Sequence, residues 1–517
     1  MPAFLCLFTM RLLFFLFLTG LLTPPSSAQK YDNVWFSAYK YLNQLPDGNF
    51  LNFSSSSPAA EGRPVLFETR GSVAAMSDEK GNLLFYSNGV RIANAAHKIM
   101  MNGDSINWGI DASYQIQSGY ALPSSMLALP GFSGKQFFLI YQQSRPHPKL
   151  GLYIPEMLYS EIDILKDGGL GAVVKKDKHV LNSFYADGPN AVRHGNGRDW
   201  WIIAPEFYRP LYHKARLCPE GFVDFSNQIV GSKPDSLTRP DGGGQNVFSP
   251  DGSVYVDYDS WNGIRIFDFN RCSGELSERE IIDFVEKRGF GAGAAISPNS
   301  RFLYVTSSDR IFQYDLWADD IAASEDTVAT WDGFYSPSPP FATSFYSMQL
   351  GPDGRIYCVS SSSVYHLHYI EHPDLKGDSC QVVQHGLQLP NLIWFSLPVH
   401  PNYRLYDLQG SPCDTLGING FVSAVEPGPL LSPGDDGIHL APNPASDFLS
   451  IESAYAAAQP VLLRFYDAQG RMVHEQMHPR GVRSYTMDVS GLAAGSYFVE
   501  VEMEGGGRAV RRVVILK

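Results

Sequence analysis

A unit of turn and hairpin recurs along this chain, and its clearest copy is NVFSPDGSVYVDYDSWNGIRIFDFN, residues 246–270. Val254, Val256 and Tyr258 alternate with Tyr255, Asp257 and Asp259, and a second β-rich run follows at Ile264, Ile266 and Phe267. Period-two runs joined by a short polar stretch predict a hairpin. Ahead of it, Pro250 fixes φ, Asp251 bonds its own backbone and Gly252 accepts a positive φ, so Ser249–Gly252 predicts a tight turn. One such unit cannot bury its apolar faces alone; copies must stack.

Further copies follow at Ser297–Ser300 with Phe302–Val305, and at Gly351–Gly354 with Ile356–Val359. Looser ones lie upstream at Ser77–Tyr86, Gly134–Tyr141 and Gly195–Ala204. The turns recur at roughly 50 to 60 residues, the range of four-stranded propeller blades. The expected fold class is all-β: a six- or seven-bladed β-propeller, seven favoured, with the aromatic segments Asn33–Tyr41 and Asn49–Phe53 meeting Leu392–Phe395 and Tyr403–Tyr406 to close the ring. Aromatic residues at 13% suit strands, whereas helix signals are confined to Ile281–Lys287 and Ile321–Ser324. A formal net charge of −13 argues against a nucleic-acid partner, which requires Lys and Arg gathered on one face.

The amino-terminal end reads as an export address. Arg11 precedes an uncharged apolar run, and Ser26-Ser27-Ala28 supplies small residues before Gln29, so residues 1–28 are expected to be a signal peptide cut between Ala28 and Gln29. The propeller is expected over 30–407, a Pro/Gly-rich linker over 408–438, and a small Ig-like β-sandwich over 439–517.

Two resemblances bear on these domains. The run Phe67–Ile106, together with Gly151-Leu152-Tyr153, Leu350–Tyr357 and Leu387–Asn391, resembles secreted Bacteroidetes propeller proteins described as gliding-motility-associated or WD40-like. That resemblance implies a propeller on a surface protein and carries no catalytic residues. The tail is similar to the type A sorting domain of the type IX secretion system, on four elements in order. They are Pro442-Asn443-Pro444 with Asp447; Asp467 to Gly470; Gly491-Leu492 with Gly495 and Tyr497; and a last strand ending at Lys517. The resemblance implies periplasmic export, passage through an outer-membrane translocon that recognises the folded tail, and attachment at the cell surface. The membrane then enters only through that anchoring.

Cysteines are few: Cys218, Cys272, Cys358, Cys380 and Cys413 follow Cys6 of the leader. In an oxidising compartment pairing is expected, and Cys218 with Cys272 is the favoured pair because both precede a Gly turn in consecutive units. No catalytic, cofactor or metal motif is present: the chain lacks a G-x-S-x-G elbow, a Walker A loop, HExxH and any zinc-like Cys/His spacing. Three weaker candidates remain. His366 and His368 alternate on one strand and would face one side; Asp241–Gly244 could turn backbone NH groups toward an anion; and Asp187–Asn190 with Arg193-His194 could line an axial opening. The favoured function is a non-catalytic surface module that binds a protein or polysaccharide. The alternative is a secreted hydrolase, lactonase-like or glycan-cleaving, with carboxylates in the axial channel.

Overall fold

The computed structural model describes residues 29–416, except 41–46, 56, 110–114, 148–150, 183–186, 233–242, 285–292 and 338–339. It also describes residues 438–515, except 442–444, 446–447, 454–460, 467–471, 479–483, 490–491, 493–494 and 504–506. Two compact units emerge, one from Gln29 to Gly420 and one containing the tail from Phe421 to Lys517. The first unit therefore includes residues 408–416, whose composition alone suggests linker.

The first unit is a seven-bladed propeller. Its seven sheets follow one another along the chain: blade 1 at 34–64, blade 2 at 74–94, blade 3 at 126–182, blade 4 at 190–229, blade 5 at 245–282, blade 6 at 294–330 and blade 7 at 345–393. Among the described residues, blades 3 to 7 have four antiparallel strands, and blades 1 and 2 have three. Of the two helix signals, one becomes the 3-10 turn Ala322–Ser324. The other begins inside the strand Leu276–Ile282, because Ile281 and Ile282 pair with Arg265 and Ile264.

Burial on both faces explains why the repeat carries apolar residues at both parities. Every residue of Val254–Asp259 in blade 5 is buried. Val254, Val256 and Tyr258 share a core with Ala294, Leu303 and Val305 of blade 6, while Tyr255 packs with Val192, Trp201 and Tyr212 of blade 4. Asp257 tolerates this position because the Tyr212 hydroxyl donates to it at 2.9 Å. The expected turns form: Gly252 N donates to Ser249 O at 2.8 Å with Gly252 at φ +73°, and Ser300 and Gly354 repeat the arrangement in blades 6 and 7. These turns lie on what is here termed the lower face. Inner strands begin at the upper face.

In the tail, Ile438–Ala441, Phe448–Ser453 and Ser484–Asp488 form one sheet. Met472–His478, Val461–Tyr466, Gly495–Met503 and Gly507–Ile515 form another. Leu449, Ile451 and Met487 from the first share a core with Leu463, Phe465, Val499, Val513 and Ile515 from the second, so the sheets pack as a sandwich.

Candidate functional site

The axis of the propeller is occupied by the chain itself. The first strand of blade 1, Val34–Ala38, runs opposite to the inner strand of blade 2: Val34 N donates to Ser77 Oγ, and Ala38 N to Thr69 Oγ1. Elsewhere neighbouring inner strands are parallel, as where Asn190 Nδ2 donates to Asn246 O and Asn246 Nδ2 to Gly188 O between blades 4 and 5. Blade 1 thus lacks an innermost strand of the common direction, and residues 394–404 take its place. They pass antiparallel to 31–39, with Trp394 against Tyr39 (5.3 Å), His400 against Trp35 (5.9 Å), Tyr403 against Tyr31 (5.6 Å) and Arg404 paired with Asp32 (2.6 Å).

This segment also reaches across the ring. Val399 bridges Leu127 of blade 3 in parallel, and Tyr403 Oη donates to Ala128 O at 2.8 Å. His400 exchanges two hydrogen bonds with the Gln349 side chain of blade 7, and Ser396 Oγ donates to Gly71 O ahead of blade 2. On the lower face Asn402 Nδ2 donates to Pro250 O of the blade 5 turn. The two ends that the sequence brings together do meet, but the contact is made by side chains instead of a ladder with blade 1.

Two buried arginines hold the segment's carbonyls. Arg193 donates to Tyr403 O at 3.5 Å and lies 3.9 Å over the Trp200 ring; Arg271 donates to Tyr406 O and, through Nε, to Arg193 O at 2.9 Å. Burial pulls both guanidinium groups down to about 10, so both keep their charge at neutral pH. The segment is then fastened covalently: Cys272, in the last turn of blade 5, is disulfide-bonded to Cys413 with 5.5 Å between Cα atoms. Gly195 makes room, since a Cβ there would lie 2.5 Å from Cys413 Sγ.

The disulfide corrects the pairing expected from sequence. Cys218, the favoured partner of Cys272, is a free buried thiol, as are Cys358 and Cys380. Cys218 closes the last hairpin of blade 4, where its thiol donates to Gly221 O. The true partner, Cys413, is masked in the sequence by the Pro/Gly-rich composition around it, which suggests linker.

The other candidates separate. Asp187 sits on the upper face, where its carboxylate accepts Gly244 N at 2.8 Å and its carbonyl accepts Gln142 Nε2. Burial, with the Asp187 charge adding to it, pushes the Tyr346 hydroxyl up to about 12. Arg193 and His194 lie at the opposite end of the inner strand Asn190–Arg193, so these groups do not converge. Of Asp241–Gly244, residues 241 and 242 lie outside the described residues. Gly244 is needed for close approach, because a Cβ would stand 2.0 Å from Tyr258 O. His368 is committed internally: its Nδ1 accepts His385 N at 2.9 Å, its Nε2 lies 3.3 Å from Ser360 Oγ, and burial pulls it down to about 3. His366 instead packs edge-on against Phe334 and His385. Among the described residues no group of three or more His, Cys, Asp or Glu side chains is arranged to hold a metal.

Beside the disulfide, on the lower face of blade 4, lies an open pocket of about 490 Å³, which no sequence motif signals. Arg216, Asp224, Phe225, Ser226, Asn196 and Thr415 line it, with the disulfide as one wall. Burial, and secondarily the Arg216 charge, holds the neighbouring His194 below the usual imidazole range, while its Nε2 lies 3.0 Å from Cys272 O.

Of the sorting residues, Pro442, Asn443, Pro444, Asp447, Asp467, Gly470, Gly491 and Lys517 lie outside the described residues, as does Ala28; Gln29 opens the first unit. Leu492 N donates to Val489 O, Gly495 pairs with Ile515, and Tyr497 is buried opposite Val513. Residues 439–516 match the family described as the secretion system C-terminal sorting domain. This domain directs the chain to type IX secretion, with which it interacts, and to the cell surface. No protein with a curated description matches the chain. Among solved structures, a protein of unknown function from Desulfotomaculum acetoxidans is similar at 14% identity, covering 71% of this chain and 99% of that one, with a TM-score of 0.42. A protein from Bacteroides uniformis is similar at 12% identity (88% and 100% covered, TM-score 0.35). So is the β-propeller domain of Cps50 (Swd1) from Myceliophteria thermophila, at 8% identity (65% and 94% covered, TM-score 0.38).

Proposed function

We infer that the mature protein is a non-catalytic binding module displayed on the cell surface, with residues 1–28 removed after Ala28. One observation carries this reading. Residues 394–404, the closing segment, fill the axis that a channel-centred hydrolase would need for converging carboxylates and substrate. Asp187 and Arg193-His194 stand at opposite ends of it. The ligand would therefore be met on an outer face, where aromatic and polar loops are presented.

Display and binding are tested together in the native host. Cells producing the full chain are expected to carry it at the surface, and cells producing a chain ended after Gly437 are expected to lose surface display while the propeller still folds. Purified full chain should bind surface polysaccharide or protein and release no cleaved product from it. Turnover of a lactone or glycan that survives removal of any contaminating enzyme would overturn the reading.

A further inference from the structure

We propose that the pocket beside the Cys272–Cys413 disulfide binds a neutral saccharide, a site that deepens the binding reading and rests on it. The argument begins with the outer strand of blade 4, Gly221–Ile229. Its register slips between Lys214 and Arg216 of the neighbouring strand, and Asp224 takes φ +51° at the slip. A bulge breaks the alternation of a strand, and here three consecutive residues, Asp224, Phe225 and Ser226, line one pocket.

Blades 3 and 7 carry comparable bulges, and both are used internally. Asp177, at φ +51°, accepts Asn107 N and the Tyr141 hydroxyl. His385, at φ +41°, pairs with Asp332 at 2.9 Å and stacks on Phe334. In blade 4 Asp224 likewise pairs with Arg216, but the residue after it, Phe225, is left 52% exposed.

Electrostatics narrow the ligand. Arg216 bonds Asp224 at 2.6 Å and Asp199 at 2.5 Å, and Arg198 bonds Asp199 at 2.7 Å. Two guanidinium groups and two carboxylates balance one another at the site, and burial pushes His194 beside them toward its neutral form. An anion would have to displace a carboxylate from Arg216, and a cation would have to displace the arginine. A neutral ligand displaces neither. A flat exposed ring, a hydrogen-bonding ion pair and the Ser226 and Thr415 hydroxyls suit a molecule with one apolar face and many hydroxyls, the description of a sugar ring. The volume is that of a small-ligand site, enough for one or two such rings. Because Cys413 and Thr415 form one wall, the disulfide positions the site as well as the closing segment.

The test is calorimetric titration of the purified full chain with neutral oligosaccharides of glucose, mannose, xylose and N-acetylglucosamine. At least one is expected to bind, with Phe225→Ala lowering its affinity at least tenfold at an unchanged melting temperature. The Cys272→Ser/Cys413→Ser pair should lower it as well. Absence of binding by every oligosaccharide, or binding indifferent to Phe225→Ala, would overturn the site. So would Phe225-dependent binding of a peptide or an acidic glycan in their stead. Saccharide binding that ignores Phe225 leaves the surface-binding reading standing, whereas shortened oligosaccharides would overturn that reading and leave the pocket to be judged by the variant's affinity.

Discussion

Blade 5 and blade 1 solve the same packing problem by different means. Blade 5 is four consecutive strands paired in one ladder, with a single register shift between Ile266 and Phe267 of its third strand, and its faces bury Val254, Val256 and Tyr255 against both neighbours. Blade 1 brings three strands of its own and takes its innermost element from the other end of the chain. In blade 5 cohesion comes from a backbone ladder, which a single side-chain change scarcely touches. In blade 1 it comes from an ion pair, two buried guanidinium groups, stacked rings and a disulfide, each removable by one substitution or one reagent. The ring should therefore open at blade 1 first.

The disulfide offers the sharpest way to break that comparison. It spans 141 residues, and closing so long a loop is worth about 3 to 5 kcal/mol in the chain-entropy account. Cys272→Ser with Cys413→Ser is expected to lower the urea midpoint accordingly. Hydrogen exchange should then rise first along 394–408 while Val254–Asp259 stays protected; simultaneous loss of protection in blade 5 would show that the blades do not differ in this way. Gly195→Ala should act in the same direction, since its Cβ would press on Cys413 Sγ.

Next in size is the pair between Asp32 and Arg404, bidentate at 2.6 and 2.8 Å, with Asp32 buried and Arg404 partly exposed. Solvent at the arginine discounts it to about 1 to 2 kcal/mol. A double-mutant cycle with Asp32→Asn and Arg404→Gln should return a coupling of that size. The surface pair Arg63–Glu61 serves as the reference with a coupling near zero.

How far the sequence foretells this molecule follows the same division. Turns such as Ser249–Gly252 and runs such as Val254–Asp259 declare themselves because Pro, Asp and Gly have local conformational demands and strands have a period of two. The repeating blade is legible on those grounds, with its number left at six or seven, while the tail is legible through its resemblance to sorting domains. The axial segment is only half so: the aromatic run Tyr403–Tyr406 points to the first strand as its partner, yet nothing local to Val399 says that it will bridge Leu127. The pairing of Cys272 with Cys413 depends on tertiary distance, and the blade 4 pocket on a bulge at Asp224, an ordinary-looking residue in an edge strand. Positive φ is uncommon at Asp, and here it follows from the register slip against Lys214 and Arg216, a relation between strands that no local pattern carries.

Acid should find blade 1 as well. Burial pulls His400 down to about 4 and His368, in blade 7, down to about 3, both from 6.5. A histidine depressed in the folded state is neutral there while the unfolded chain binds its proton, so the unfolded state takes up more protons between the two values. Stability is expected to be flat above about pH 6.5 and to fall as pH drops from there toward 4, by the linkage relation. His400→Leu should make this acid slope shallower, and exchange along the axial segment should become less sensitive to pH. An unchanged slope would assign the effect to the other histidines that burial holds low, His97, His194, His366 and His368.

The smallest effect tests whether the axial segment is gripped by its polar contacts or by packing. Tyr403 is fully buried among Tyr31, Trp200 and His400, and its hydroxyl donates to Ala128 O at 2.8 Å. Tyr403→Phe keeps the ring and removes that bond together with the 3.3 Å contact to His400 Nδ1, leaving a buried carbonyl with one acceptor direction unfilled, for a loss of about 1 kcal/mol. Tyr212→Phe in blade 4 removes instead a bond to the Asp257 carboxylate of blade 5, so its cost should be equal or greater. The two variants should nevertheless differ in where they act. With Tyr403→Phe, exchange at Leu127 and Val399 should rise before any other backbone site, because their bridge is the contact nearest the lost bond. With Tyr212→Phe, the ladder of blade 5 should spread the loss across the whole sheet. If both variants loosen the protein uniformly, side chains and ladders hold their blades equally well.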